Sequence, residues 1–214
     1  MMKKEVDEQE VEEGVMVAIS GRELVRIGGL VELSMLVVGG FLVWLLAVPV
    51  MVGDVWWGIV GGIVGGVVMF GGVWVSLWAE WGWAQALRRD LDRVLPLFAQ
   101  ANWWQLGLIS LCAGVGEEML FRGFLQGWIG EWGGVWLGIV VSSVLFGLAH
   151  AISVWYVIYT MVMGVVLGVA YQTTGNLVGV MVAHFVYDWV ALLYGTRWWY
   201  EGDVSDRDPY GGDD

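Results

Sequence analysis

Polar and apolar positions separate along this chain into long blocks rather than alternating at short period. From about Gly28 the sequence runs through apolar stretches near 28–50, 55–79, 103–126, 134–150, 154–172 and 176–195. A segment needs roughly 20 such residues to cross the hydrocarbon of a bilayer. Lipid offers no water to an open backbone edge, so the six stretches are predicted to be helices. The fold expected is all-α, a multi-pass bundle over 28–195 with acidic tails at 1–27 and 196–214.

Composition supports that solvent. Of the 214 residues 58% are hydrophobic and 15% charged, a balance outside that of water-soluble globules. The net charge of −12 belongs largely to the tails, which hold 12 of the 22 acids in the first and last 14 residues. The N-terminal residues have no basic start followed by a short apolar core, so no cleaved leader is expected. Lys and Arg form no basic stripe, which argues against nucleic acid as a partner. Cys112 stands alone, so neither an intrachain disulfide nor a thiolate zinc cluster is expected.

Basic residues also give a direction. Lys3, Lys4, Arg22 and Arg26 precede the first stretch, Arg88, Arg89 and Arg93 lie between the second and third, and Arg197 and Arg207 follow the last. With six spans all nine fall on one side, which the positive-inside rule makes cytoplasmic for both termini. Residues 84–98 put Leu87, Leu91, Val94, Leu95 and Phe98 on one helical face and charged groups on the other, as in an interfacial helix or a solvated amphipathic linker. Gly58, Gly61, Gly62, Gly65 and Gly66 mark close helix packing, expected within the chain rather than between copies. Tryptophans such as Trp56, Trp57, Trp103 and Trp104 near stretch ends fit interfacial anchoring.

Charged groups inside a span cost about 2.5–3.5 kcal/mol each at the helix centre, so each requires a reason. Glu117, Glu118 and Arg122 lie in the third stretch, His150 at the end of the fourth, and His184 and Asp188 in the sixth. Both histidines of the chain belong to this set. Glu118 and Arg122, four apart with the acid first, have the spacing of an intrahelical ion pair. That leaves Glu117 about a hundred degrees around the helix, without a partner on its own helix and suited to taking and giving a proton. His184 and Asp188 also share a face, either as an imidazole with its orienting acid or as two groups facing one cavity. Independent hydrogen bonds between helices would account for such residues singly. Their concentration on three stretches favours one shared polar cavity.

The spacing of these residues matches a known pattern. Glu117-Glu118-Met119-Leu120-Phe121-Arg122 reads EExxxR, Phe146 to His150 reads FxxxH, and His184 to Asp188 reads Hxxx(N/D). In this order the three motifs resemble the CPBP family of intramembrane proteases, the CAAX proteases and bacteriocin-processing enzymes. The resemblance covers about residues 103–195. It implies an endopeptidase in which Glu117 and His150 activate a water, His184 and Asp188 serve the oxyanion, and Glu118, Arg122 and Phe146 support the site. It implies no cofactor and no metal. Eukaryotic members carry Asn where this chain has Asp188, a donor replaced by an acid. Asp188 then either carries a proton itself or orients His184 and keeps it charged; the second reading is preferred.

Straight, full-length helices would leave His184 about 12 Å from its helix start at 1.5 Å per residue, with His150 at a different depth. Short, tilted or broken helices around a wet recess are therefore expected, with a break over 151–156. The function expected is hydrolysis of a membrane-associated protein or peptide in a prokaryotic cytoplasmic membrane. Three other readings compete: a zinc hydrolase using Glu117, His150, His184 and Asp188, a non-proteolytic scaffold or bacteriocin self-immunity protein, and a proton or ion carrier. Oligomeric state is left open.

Overall fold

A computed structural model of the chain describes residues 20–199. Of the acidic tails, residues 1–19 and 200–214 lie outside the described residues. Within them every regular element is helical: α1 (Gly21–Leu45), α2 (Val55–Leu77), α3 (Gly82–Val94), α4 (Trp103–Glu118), α5 (Gly127–Gly133), α6 (Val135–Ala149), α7 (Val154–Thr174) and α8 (Leu177–Tyr194). A short 3₁₀ turn, Leu95–Phe98, follows α3, and wide π-helical segments, Met119–Gln126 and Gly195–Trp199, follow α4 and α8.

Local sequence sets most of the boundaries. Ser20 and Glu23 form a capping box, so α1 begins before the apolar run at Gly28 does. Asn102 and Gln105 do the same for α4, and Asp54, Ser153 and Asn176 cap α2, α7 and α8 with side-chain oxygens. After α1 the chain turns through Ala47 at φ 50° and Pro49, which ends the helix at Leu45 although apolar residues continue to 52.

Four helices are each long and apolar enough to cross a bilayer: α1, α2, α7, and α8 with its π-helical extension to Trp198. The two remaining predicted spans are different in kind. The third carries Glu117, Glu118 and Arg122 and runs from α4 through the π segment into α5. The fourth, α6, has 15 residues, about 22 Å at the α-helical rise and shorter than a hydrocarbon core of about 30 Å.

Burial is inverted relative to a water-soluble domain. Leu30, Val37, Phe41, Val67, Val68 and Val162 face outward, whereas Glu118, Arg122, Gln126, Ser142, Ser143 and His184 are buried. Such a surface belongs against lipid. The molecule is a helical membrane protein with a polar interior.

Helix α8 packs along both α2 and α4, α1 lies against α4, and α6 pairs with α7. The α2–α8 contact uses one face of the glycine stripe. A Cβ on Gly62 would stand 2.6 Å from the Gly179 carbonyl, and one on Gly66 2.6 Å from that of Ala183. Gly61 meets nothing within 4 Å. The stripe thus seats α8 within the same chain. Helix α3 turns Leu87 inward and Arg89 outward, while Arg88 donates to the carbonyls of Leu77 and Ala79 at the end of α2.

Candidate active site

Close backbone approach is what puts acids here. Just before Glu117, a Cβ at Gly114 would lie 2.7 Å from the Met181 carbonyl of α8, and one at Gly116 2.3 Å from the Glu32 carbonyl of α1. Three helices therefore converge where α4 ends in Glu117 and Glu118. The helix then widens to π geometry over Met119–Gln126 instead of continuing as the regular α-helix the spacing implied; π segments recur at functional sites.

The Glu118–Arg122 pair forms within this region. Arg122 Nη1 donates to Glu118 Oε1 at 2.7 Å, with both side chains fully buried. Arg122 Nη2 reaches the Gly164 carbonyl of α7 at 3.0 Å. The guanidinium also lies 4.6 Å from the centroid of the Phe146 ring. The same Glu118 oxygen faces His184 Nδ1 at 2.8 Å. The pair's hydrogen bond outside itself and the backbone is therefore to His184, and Arg122 acts on Glu117 through its charge.

His150 terminates α6, and the chain breaks over 150–153 before α7 begins. Its Nδ1 is 2.8 Å from the Phe146 carbonyl. A carbonyl only accepts, so Nδ1 carries the hydrogen and Nε2 is directed elsewhere. That nitrogen faces Glu117 Oε1 at 3.7 Å. The other oxygen of Glu117 lies 3.9 Å from His184 Nε2, and Asp188 Oδ2 approaches the same nitrogen at 3.3 Å. Short α6 and the break after it bring the two histidines level at one carboxylate. Phe146 sits among them, its ring centroid 4.7 Å from that of His150 and 5.9 Å from that of His184.

All seven residues singled out from sequence thus gather in one cluster. Exposure divides them: Glu117 and His184 side chains are 7% and 6% exposed, His150 and Asp188 29% and 28%. The exposed pair opens to a cavity of about 230 Å³. Its further walls are apolar, from α2 (Met69, Phe70, Val73) and from the inner face of α3 (Leu87, Leu91, Val94). The predicted amphipathic helix therefore roofs the cavity. Asp90 fixes it there, accepting a hydrogen bond from Ser153, the cap of α7 beside His150.

Sequence reasoning omitted two sets of residues. Glu32 of α1 acts electrostatically on Glu117, His184, His150 and Asp188, and its Oε2 is buried without a hydrogen-bond partner. An acid inside an apolar run was the signal. Tyr156, Tyr159 and Tyr187 line the cavity beside the histidines; aromatic residues in a span give no comparable signal. Among the described residues, no three His, Cys, Asp or Glu side chains are arranged to hold a metal ion.

Fold and site together define a membrane-embedded cluster of carboxylates and imidazoles opening onto an apolar cavity. Residues 99–190 match the family model described as Type II CAAX prenyl endopeptidase Rce1-like, and this match supports placing the chain in the CPBP family of membrane proteases. No curated protein and no solved structure matches the chain.

Proposed function

We propose that the protein is an intramembrane endopeptidase that cleaves a membrane-associated protein or peptide with a water activated between Glu117 and His150. The observation that carries this reading is the facing of Glu117 Oε1 and His150 Nε2 at 3.7 Å, with His150 Nδ1 committed to a backbone carbonyl. Atoms so spaced can share one water at about 2.8 Å from each. In this reading Glu117 takes the proton of that water as its oxygen attacks the scissile carbonyl, and returns it to the departing amine. His184, held by Glu118 on one nitrogen and by Asp188 on the other, presents fixed positive polarity toward the developing charge.

The match to CAAX prenyl endopeptidases makes a prenylated tail one candidate substrate. The apolar walls of the cavity suit equally a membrane-buried leader or a membrane-anchored regulator. Both termini and α3 are assigned to the cytoplasmic side on the distribution of Lys and Arg.

The test compares the N- and C-termini of membrane proteins in cells that make the wild-type protein or Glu117→Gln at matched abundance. Termini that require Glu117 and persist in the presence of a chelator are expected. If no terminus differs while both proteins rescue a deletion strain equally, the scaffold or immunity reading replaces this one. Loss of the termini with chelator favours metal-dependent hydrolysis.

A further inference from the structure

The two nitrogens of His184 are both occupied. Nδ1 faces Glu118 at 2.8 Å, and Nε2 faces Asp188 at 3.3 Å and Glu117 at 3.9 Å. An ionised Asp188 accepts hydrogen bonds and donates none. Polarity alone then reaches an oxyanion from this side, with no uncommitted N–H or O–H aimed at it. Such a donor is ordinarily a large contribution to acyl-transfer catalysis.

The cavity wall also offers hydroxyls. Tyr159 and Tyr187 hydrogen-bond to one another through their hydroxyls, one donating and the other accepting. Tyr156, one turn earlier on α7 and in ring contact with Tyr159 at 6.1 Å, has no hydrogen-bond partner for its hydroxyl among the described residues. It lines the same cavity as His150, His184 and Asp188 and feels the charges of Asp188, Glu117 and Asp90. Its position is tightly set: Ser153 caps its backbone N–H at 3.2 Å and itself donates to Asp90. His150 and Tyr156 thus flank the same chain break, one from each side.

We propose that Tyr156 is a further catalytic residue, whose hydroxyl donates to the scissile carbonyl oxygen as it becomes an oxyanion. The hydroxyl keeps its hydrogen throughout; the proton of the attacking water travels by Glu117. This assignment rests on the endopeptidase reading above, and its test separates the two.

Cells producing wild type, E117Q, Y156F, Y156M or Y159F at matched abundance are pulse-labelled, and the rate at which Glu117-dependent termini appear is followed. The thermal transition of each purified protein in detergent is recorded alongside. Y156F is expected to slow the termini by about 100-fold, the effect of removing one such donor, at unchanged thermal transition. Y156M should slow them at least as much. Y159F, which breaks the Tyr159–Tyr187 bond and spares Tyr156, is expected to lower the transition while the rate stays within a few-fold of wild type. Wild-type rates in Y156F or Y156M overturn the assignment and leave the protease reading standing, as does equal slowing in Y156F and Y159F. Absence of any Glu117-dependent terminus overturns both.

Discussion

His184 Nδ1 and Glu118 Oε1 meet at 2.8 Å although 66 positions separate them in the chain. That oxygen is also the acceptor for Arg122 at 2.7 Å. One carboxylate thereby ties α8 to α4 and, through Arg122 and the Gly164 carbonyl, to α7. The site and the bundle share their central strut.

Removing that strut should unfold the protein rather than merely silence it. Glu118→Ala leaves the guanidinium of Arg122 buried without its counter-charge, an effect of about 3–5 kcal/mol in buried pairs. Thermal unfolding in detergent should show a large fall. A variant as stable as wild type would remove Glu118 from the fold's support.

Glu117→Gln should separate activity from stability. Glu117 Oε2 has no hydrogen-bond partner and the side chain makes no short ion pair, so an amide of the same shape leaves the packing intact. Cleavage should disappear while the unfolding transition stays close to that of wild type. Retained cleavage contradicts its role at the water.

Replacing Glu32 by Met should stabilise the protein. A buried oxygen without a partner costs about 1–3 kcal/mol, and Glu32 has one in Oε2, its burial and the charges of Glu117 and Asp188 opposing the attraction of His184 and His150. A rise in the thermal transition is expected. A fall indicates that Glu32 contributes a favourable contact.

Two glycine substitutions on α2 should have opposite signs. At Gly62 an added methyl meets the Gly179 carbonyl and Val182 at 2.6 Å, and overpacking of this kind costs about 1–3 kcal/mol. At Gly61 it meets open space, and Ala favours a helix over Gly by about 0.5–1 kcal/mol. Thermal unfolding of Gly62→Ala and Gly61→Ala checks both.

Hydrogen exchange should detect the fastening of α3. Ser153→Ala removes both the cap of α7 and the hydrogen bond to Asp90. A lost cap costs about 1 kcal/mol, and faster exchange is expected over residues 82–94 and 154–157 together. Unchanged exchange in α3 places its attachment elsewhere, in the packing of Leu87 and Leu95.

The membrane-buried, helical character of the chain was legible because apolar blocks of that length have few other outcomes, and the three motifs singled out residues that the fold gathers. What was hidden depended on long-range geometry. The span count read from hydropathy treats α6 like its neighbours, whereas α6 ends at His150 after 15 residues. Spacing made Glu118 a partner for Arg122 but gave no hint of His184, which arrives from another helix. Glu32 stood outside the motifs and was passed over, although an acid in that setting carries the same cost as the ones that were noticed. Tyr156 resembles any other span aromatic until the cavity is seen.

The π-helical stretch Met119–Gln126 fixes the rotational phase of everything that follows it. A π turn spends about one residue more than an α turn on the same rotation, so this stretch can give up one residue to regular α winding with its phase kept, whereas a residue added swings Gln126 and α5 by about 100°. Gln126 would forfeit its 3.0 Å bond to the Gly168 carbonyl, and Gly138 of α6, pressed against the Gln126 carbonyl, would lose its seat. Single-residue insertions between Glu118 and Gln126 should therefore be far less tolerated than a single deletion there, and α5 is where their damage should first appear.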